Sequence, residues 1–348
     1  MNEFRIPFAN PAMSEASAEA ASGAIKEVLL NGHLSNGEYN RKLEEKVAKI
    51  SGADMAITCS SCSQGLIAAL AGAQVAMLGE RDRRIKESRD QMVIGFTSSF
   101  TWNSTIAAIN AQGCPVYYMD IDYDSWCVKE YPMGKGPAFA LAVDTFGTQF
   151  AAQSPVPIFY DRAHSLGQRF RHIGMASVLS LSPSKLITGC EGGIILTNSP
   201  KFGKAYTMTR DLISRLSEPH AIIALENLKK LPEILEWKKG TYDYYKSHFP
   251  SFQFQQGESN HQVIGMLVDT KKQRDGLYDY AISQGLEVKA YYKPTHLQTS
   301  GYDWAGKLPI TEDIASRIIV LPSWLNCPRG EIVDIIKDGV DIVQRMKS

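Results

Sequence analysis

The sequence lacks an excess of either charge and lacks a long apolar run. Its 37 basic side chains balance 37 acidic ones, so no long-range field would attract nucleic acid or an anionic membrane. No apolar stretch approaches the ~20 residues that a membrane-spanning helix needs. The N-terminal sequence MNEFRIPFANPAM has no apolar signal-peptide core. We therefore expect a cytoplasmic protein that binds neither nucleic acid nor a membrane.

Cysteine is also scarce, with six residues in a chain of 348, which excludes a disulfide-stabilised scaffold. Cys59 and Cys62 form a C-x-x-C motif, but no second such motif completes a zinc site, and neither Pro nor a basic residue follows closely. We therefore favour a structural role for this motif over a redox or metal role, and we predict no metal site. A run of mixed charge from Glu80 to Asp90 is typical of a solvated connection.

Apolar residues are abundant, at 44% of the chain, and a chain of this length usually divides into two domains. After two predicted helices at 14–30 and 38–50, short apolar runs alternate with helical patterns. Several runs, such as AFALAV and GIILT, are continuously apolar, as in strands that are buried on both faces. The pattern predicts an α/β fold whose large domain has a mostly parallel seven-stranded sheet between helices. The predicted strands are 54–58, 92–96, 115–119, 137–143, 157–160, 177–182 and 193–197.

Beyond residue 200 the pattern changes to long helices followed by short strands. The predicted elements are helices at about 217–231 and 233–248, strands near 262–268, 286–291 and 317–321, and a final amphipathic helix. They indicate a smaller C-terminal α/β domain. We place it at residues 236–348, after an N-terminal segment and a large domain at residues 1–235.

In open α/β sheets, ligands bind beyond the carboxyl ends of the strands, so the residues that follow each strand are candidates for chemistry. Small hydroxyl residues between Ser60 and Ser63 follow the first strand, at the start of a helix whose N–H groups could bind a phosphate. The simpler interpretation of these serines is an N-cap. Trp102 follows the second strand and either covers a flat ring or fills the core.

Two charged residues stand at the ends of buried apolar strands. Asp161 follows PIFY, and Lys185 lies between SVLSLS and a glycine turn. Both positions are costly for a charge that is neither paired nor functional, and burial shifts a lysine toward its neutral, nucleophilic form. A phosphate site, an aromatic cover, a carboxylate and a lysine are together what pyridoxal 5'-phosphate requires. The combination therefore predicts this cofactor.

Around these residues the sequence resembles the DegT/DnrJ/EryC1/StrS family of pyridoxal-phosphate-dependent sugar aminotransferases, which have the fold type I architecture. The similarity runs almost from end to end. It is carried by IPFANPAMSEA, LSNGEYNRKLEEKVAKISGA, CSSCSQGLIAAL, SSFTWNST, PVYYMDID, SLSPSKLITGCEGGIILTN, RLSEPHAIIALENLKKL, YYKPTHLQ and LPITEDIASRIIVLP. Enzymes of this kind build each active site at a two-fold interface, so the resemblance implies a homodimer.

The resemblance also implies roles for individual residues. Lys185 would hold the cofactor as a Schiff base and shuttle a proton, and Asp161 would pair with the pyridine nitrogen. The other implied cofactor-binding residues are Cys62, Ser63 and Ser180 at the phosphate, Trp102 on the ring face and His164 at the ring hydroxyl. Cys62, Ser63 and His164 replace the family's usual Gly, Thr and Gln.

Two departures from the family pattern lie just before the RLSEPH segment. The family's usual Asn-x-Arg reads Ile213-Ser214-Arg215 here, so the phosphate contact that the Asn makes across the subunit interface is absent or supplied differently. The stretch between Arg210 and Arg215 is also shorter than in most members. Arg162 and Arg215 are candidates for binding the carboxylate of the amino donor.

The resulting hypothesis is an aminotransferase that moves an amino group from glutamate or glutamine to a keto-sugar, itself linked to a nucleotide. One alternative is a catalytically altered, cofactor-binding regulator or scaffold, suggested by Ile213 and the short loop. Another is a pyridoxal-phosphate-dependent sugar dehydratase, although Lys185 stands where the related dehydratases carry a His.

Overall fold

The protein is described by a computed structural model at residues 4–78, 92–134, 136–149, 151–298 and 304–345. The charged run between Glu80 and Asp90 lies outside the described residues. Within them, no helix is long and apolar enough to cross a membrane. The same residues contain no group of three or more His, Cys, Asp or Glu side chains that could hold a metal ion.

Strands and helices alternate through most of the chain. The strands are β1 (Met55–Cys59), β2 (Ile94–Ser98), β3 (Val116–Met119), β4 (Ala138–Val143), β5 (Thr148–Gln149), β6 (Ile158–Asp161), β7 (Ser177–Ser180), β8 (Gly193–Thr197), β9 (Gln253–Phe254), β10 (Glu258–Ser259), β11 (Ile264–Leu267), β12 (Trp304–Ala305) and β13 (Ile318–Leu321). The helices in the described residues are α1 (Glu15–Asn31), α2 (Glu38–Ser51), α3 (Cys62–Leu78), α4 (Asn103–Asn110), α5 (Pro200–Ile213), α6 (Glu218–Leu228), α7 (Leu231–His248), α8 (Lys271–Ser283), α9 (Pro309–Arg317) and α10 (Arg329–Arg345).

The larger sheet contains the seven strands that the apolar runs predict, so this prediction is confirmed. Its order is β1-β8-β7-β6-β4-β2-β3-β12. The pairings are parallel except at β8, which runs antiparallel to both of its neighbours. The eighth strand, β12, extends the edge at β3 and is too short to show any periodicity in the sequence.

Both faces of the sheet are covered by helices. Successive residues of β7 show this, because Val178 packs into the cluster that contains Leu66 of α3, whereas Leu179 packs into the cluster that contains Leu43 of α2. Burying an aliphatic side chain of this size contributes about 1.5–3 kcal/mol. The two-sided burial explains why the strands are continuously apolar, and it leaves only the strand ends accessible to a ligand.

The start of α2 is stabilised by a residue from a distant helix. Gly37, the N-cap of α2, has no side chain to bind the free N–H groups. The Glu218 carboxylate of α6 accepts hydrogen bonds from the N–H groups of Gly37, Tyr39 and Asn40 at 3.0, 2.8 and 3.1 Å. A carboxylate at a helix N-terminus also interacts favourably with the helix dipole. Glu218 therefore joins α6 to the N-terminal part of the chain.

A smaller three-stranded antiparallel sheet has the order β13-β11-β9. It packs with α8 and α10 through residues such as Met266, Leu277 and Ile336. The predicted strands near 262–268 and 317–321 are confirmed as β11 and β13. The boundary predicted between residues 235 and 236 falls inside α7, which leads into this part of the chain, and it stays a prediction.

The strand predicted at 286–291 is wrong. Only two isolated bridges form there, between Leu286 and Ile6 and between Lys289 and Val320. Leu286 and Val288 are nevertheless fully buried. The alternating apolar pattern therefore reflects the burial of these two side chains. The backbone pairs with Ile6 at one residue and with Val320 at another, so no continuous β-ladder forms.

Candidate active site

A cavity of about 310 Å³ lies where several strands of the large sheet end, beside the start of α3. Its size is within the range of small-molecule sites. All seven residues that we predicted for the site line this cavity: Cys62, Ser63, Trp102, Asp161, His164, Ser180 and Lys185. Their individual roles stay predictions. The aromatic residues Phe8, Tyr291 and Tyr292 also line the cavity, and the sequence analysis did not identify them.

Asp161 is the last residue of β6, and it is buried and firmly oriented. Its Oδ2 accepts a hydrogen bond from the Thr105 hydroxyl at 2.7 Å, and its Oδ1 accepts one from the Ala163 N–H at 3.1 Å. Burial raises the pKa of Asp161, against the opposing effects of Thr105, Ala163 and Lys185. A cation placed beside this carboxyl group would favour its ionised form.

Thr105 was missed in the sequence analysis. It lies on α4, four residues after Thr101, and the two hydroxyl groups are 2.8 Å apart. Thr101 precedes the N-cap Trp102, so its hydroxyl meets that of Thr105 at the start of the helix. Without the position of Asp161, however, nothing in the sequence shows that Thr105 is turned toward a carboxyl group.

Lys185 lies in the loop between β7 and β8, and its side chain is half-buried. Its Nζ has no hydrogen-bond or ion-pair partner among the described residues. Burial lowers the pKa of Lys185, while Cys62 and Asp161 act in the opposite direction. A lowered pKa means that more of the amine is neutral at a given pH, and the neutral amine is the nucleophilic form.

His164 follows β6 and lines the same cavity as Lys185. Burial, Lys185 and Lys238 together hold the pKa of His164 well below its usual range. The imidazole is therefore neutral near pH 7 and can donate a hydrogen bond from one ring nitrogen while accepting at the other.

The loop between β1 and α3 contains a serine cap and leaves the phosphate-binding role of Ser63 as a prediction. Ser61 takes the capping role, because its hydroxyl accepts a hydrogen bond from the Gln64 N–H at 3.2 Å. Ser63 is therefore not needed as the cap and lines the cavity. Cys62 is buried, and burial raises the pKa of its thiol well above the usual range, which disfavours the reactive thiolate.

Gly193, at the start of β8, approaches this loop closely. A Cβ at residue 193 would lie 2.7 Å from both the Cys62 nitrogen and the Ser61 carbonyl carbon. Because both atoms belong to the backbone, a side chain here would displace the loop. Glycine at this position therefore allows the antiparallel strand to support the start of α3.

Ser214 contacts the same loop from the end of α5. The Ser60 N–H donates to the Ser214 carbonyl at 3.0 Å, and the two serine hydroxyl groups are 3.1 Å apart. Ile213, which replaces the family's usual Asn, is 47% exposed. The shortened segment thus supports the loop through Ser214, a residue that the sequence analysis did not single out.

The two arginine candidates for the donor carboxylate are placed differently from our expectation. Arg162 is buried, donates to the Asp144 carboxylate at 2.8 Å and lies over the Phe170 ring. It does not line the cavity, so its guanidinium group is already used within the fold. Arg215 is 54% exposed, lies 3.5 Å from Asp211 and also stands outside the cavity lining.

Trp102 stands at the edge of the cavity, immediately before α4. Its side chain is 61% exposed, which excludes the simpler interpretation that it fills the core. Its ring approaches Tyr292 edge-on, with the centroids 6.4 Å apart. An indole in this position is available to cover a bound planar group.

The fold of the chain is shared with solved structures of sugar-modifying enzymes. DesI, in the presence of its TDP-sugar product, has a TM-score of 0.82 at 20% identity, covering 100% of this chain and 96% of that one. The E. coli GDP-4-keto-6-deoxy-D-mannose-3-dehydratase with bound hydrated PLP has a TM-score of 0.78 at 18% identity, and the match covers 97% of this chain and 100% of that one. Helicobacter pylori PseC, an aminotransferase involved in the biosynthesis of pseudoaminic acid, has a TM-score of 0.79 at 18% identity, and the match covers 97% of this chain and 99% of that one.

These similarities confirm the fold type I architecture. A family model supplies the assignment, because the model of the DegT/DnrJ/EryC1/StrS aminotransferase family matches residues 15–135 and 147–338. The match includes the ends of β1, β2, β6 and β7, where the cavity lies. The chain therefore belongs to the DegT/DnrJ/EryC1/StrS aminotransferase family.

Proposed function

We propose that the protein is a pyridoxal-phosphate-dependent aminotransferase that transfers an amino group from glutamate or glutamine to a nucleotide-linked keto-sugar. The observation that carries this proposal is that one cavity contains both the Asp161 carboxyl group and the Lys185 amine, which has no hydrogen-bond or ion-pair partner among the described residues. Membership of an aminotransferase family supports the same chemistry.

The residues that line the cavity fit this cofactor. Ser63, Ser180 and the N–H groups at the start of α3 would hold its phosphate. Trp102 would cover one face of the ring, and the neutral His164 would bind the ring hydroxyl. Pyridoxal phosphate, when bound, supplies an electron-withdrawing ring that stabilises negative charge at the carbon atom of the donor amine.

Each side chain then has a defined task. Asp161 would supply a negative charge to the ring nitrogen, and Thr105 and the Ala163 N–H fix the direction of its carboxyl group. Lys185 Nζ would bind the cofactor aldehyde covalently with release of water and, once the donor amine has replaced it, would take the proton from the donor carbon. The lowered pKa of Lys185 favours the neutral amine that this proton transfer requires.

Product analysis would test the proposed function. A panel of nucleotide-linked keto-sugars would be incubated with the protein, pyridoxal phosphate and glutamate or glutamine labelled with a nitrogen isotope. The masses of the products would then be measured by mass spectrometry. An aminotransferase yields a sugar in which a labelled amino group replaces the keto oxygen. A sugar product that has lost water and carries no label would instead indicate a dehydratase. If none of the sugars changed in mass, the regulator or scaffold would be favoured.

The phosphate-binding residues provide a prediction about cofactor retention. Ser63→Ala and Ser180→Ala are each expected to weaken retention about tenfold or more, because a hydrogen bond to a charged group contributes roughly 1.5–3 kcal/mol. Cofactor content would be measured after dialysis, with Ser283→Ala, in the small domain, as the control. If both variants retained the cofactor as firmly as the parent, the phosphate would lie elsewhere.

We also propose that the protein is a homodimer. Leu30, Leu212 and Ile213 are exposed apolar side chains near the ends of α1 and α5. The loop after α1 reaches the end of α5, where the Asn36 amide donates to Asp211 at 3.3 Å. Exposed apolar surface of this kind is typical of protein interfaces.

Light scattering coupled to gel filtration is expected to give the mass of two chains at micromolar concentration. Leu212→Asp should shift the equilibrium toward the single chain, because burying a charge at an apolar interface is unfavourable. A parent protein that is monomeric and fully active under these conditions would contradict the proposal.

A further inference from the structure

We infer that Gln262 is a positioning residue for Lys185, because its side-chain amide binds both of the peptide groups that flank the lysine. This inference rests on the proposed function, since it concerns the residue that we expect to react with the cofactor. Gln262 precedes β11, the central strand of the smaller sheet. It is distant from Lys185 in the sequence and is buried in the structure.

The loop that carries Lys185 is closed at its base by internal hydrogen bonds, such as the one that the Gly189 N–H donates to the Leu181 carbonyl at 2.9 Å. Between β7 and β8 the chain forms no helix or strand, and the Lys185 N–H donates to the Ser182 carbonyl at 3.0 Å. Buried peptide groups that these bonds leave unpaired need partners from elsewhere in the molecule. The orientation of the lysine therefore depends on what binds the neighbouring peptide groups.

Gln262 supplies these partners with one planar group. Its Nε2 donates to the Ser184 carbonyl at 2.9 Å, and its Oε1 accepts from the Leu186 N–H at 2.6 Å. The Ser184 carbonyl and the Leu186 N–H belong to the peptide groups on either side of the Lys185 Cα atom. Holding both groups fixes the position of that atom and the direction in which the side chain leaves the backbone.

Gln262 is itself held from two sides. Its N–H donates to the Asn260 side-chain oxygen at 3.0 Å, and its carbonyl accepts from the buried Nζ of Lys238 at 2.8 Å. Lys238 also donates to the Ser323 hydroxyl at 2.8 Å. The backbone of residue 262 is therefore fixed, and its amide has little freedom to leave the lysine loop.

Asn260 extends the same arrangement to the other side of the cavity. Its Nδ2 donates to the carbonyl groups of His164 and Leu166, at 2.8 and 2.9 Å. The segment 260–262 thus binds both the loop that follows β6 and the loop that carries Lys185. A single short segment, which leads into β11 of the smaller sheet, therefore holds the loops that carry His164 and Lys185 next to each other.

The interaction requires one side chain that donates and accepts at the same time, as the amide of Gln262 does. Gln262→Met preserves the approximate shape and removes both functions. Gln262→Glu keeps an acceptor for the Leu186 N–H and, when ionised, loses the donor for the Ser184 carbonyl. Gln273→Met is a matched control, because Gln273 is a buried glutamine of α8 that accepts from the Asp269 N–H and does not line the cavity.

The test follows covalent attachment as well as turnover. Cofactor-free protein would be mixed with pyridoxal phosphate, reduced with borohydride at successive times, and mapped for the adduct at Lys185. Misplacing a reacting group by about 1 Å can reduce a rate by about a hundredfold. We therefore expect Gln262→Met to slow attachment and to lower kcat by about tenfold or more, with little change in KM for the amino donor.

For Gln262→Glu, the attachment rate and kcat are expected to lie between those of the parent and of Gln262→Met. If Gln262→Met does not fold, Gln262→Glu is the variant that tests the positioning role. Gln273→Met should show parental attachment and kcat even where its Tm is lowered. Attachment at the parental rate in the Gln262 variants would overturn the positioning role. A parent that attaches cofactor at Lys185 but transfers no amino group would overturn the proposed function alone, and a parent with no adduct at Lys185 would overturn both.

Discussion

Lys185→Ala is expected to lower amino transfer by roughly 10⁴-fold, since general acid–base catalysis by one side chain contributes up to about that factor. The substitution also removes covalent attachment of the cofactor. Added amines of small size should restore part of the rate, because they can take the proton in place of Nζ. Initial rates with saturating cofactor would be measured with and without such an amine.

Borohydride reduction of the parent protein, followed by peptide mapping, is the companion measurement. The adduct should lie on Lys185 and should be missing from Lys185→Ala. Lys230→Ala is a suitable control, because Lys230 is also a lysine close to this part of the structure but does not line the cavity. An adduct on a different lysine in the parent would contradict the assignment of the site.

Asp161→Ala is expected to allow covalent attachment at Lys185 but to lower turnover about 10³-fold. A nearby carboxylate raises the pKa of a cationic group by about 1–3 units, and three units correspond to about 4 kcal/mol. Without Asp161 the ring nitrogen would lose its proton near neutral pH, and the negative charge that forms at the donor carbon would no longer be stabilised.

Asp161→Asn distinguishes the effect of the negative charge on turnover from the effect of the side-chain shape. The amide can retain contacts with Thr105 and the Ala163 N–H but carries no negative charge, so its turnover should be close to that of Asp161→Ala. Absorbance of the bound cofactor would report attachment, and initial rates would report turnover. Near-parental rates for either variant would exclude the proposed role of this carboxylate.

Much of the fold could be predicted because the short apolar runs are continuous and alternate with distinct helical patterns. The run AFALAV, for example, becomes β4, with buried side chains along most of its length. The segment 286–291 misled the prediction, since burial of Leu286 and Val288 produces the alternation of a strand without a ladder. Apolar periodicity reports burial directly and backbone pairing only indirectly.

The residues of the site could likewise be predicted only in part. Asp161, Ser180 and Lys185 could be brought together from the sequence, because each follows or ends a strand of one parallel sheet. The sequence left Arg162 as a candidate for the donor carboxylate because its partner, Asp144, follows a neighbouring strand whose register the sequence does not give. Gln262 could not be identified, because its hydrogen bonds to the Lys185 loop span 76 and 78 residues.

The cap that Glu218 provides for α2 has a consequence for synthesis of the chain. The three backbone hydrogen bonds of the cap connect residues 178, 179 and 181 positions apart. As a chain grows from its N-terminus, the first turn of α2 therefore remains without this acceptor until β1 to β8 and α5 have been made. Local signals alone leave that turn weak, because Gly37 offers no side chain. The N-terminal helices consequently acquire their final attachment late, after the large sheet that they cover has formed.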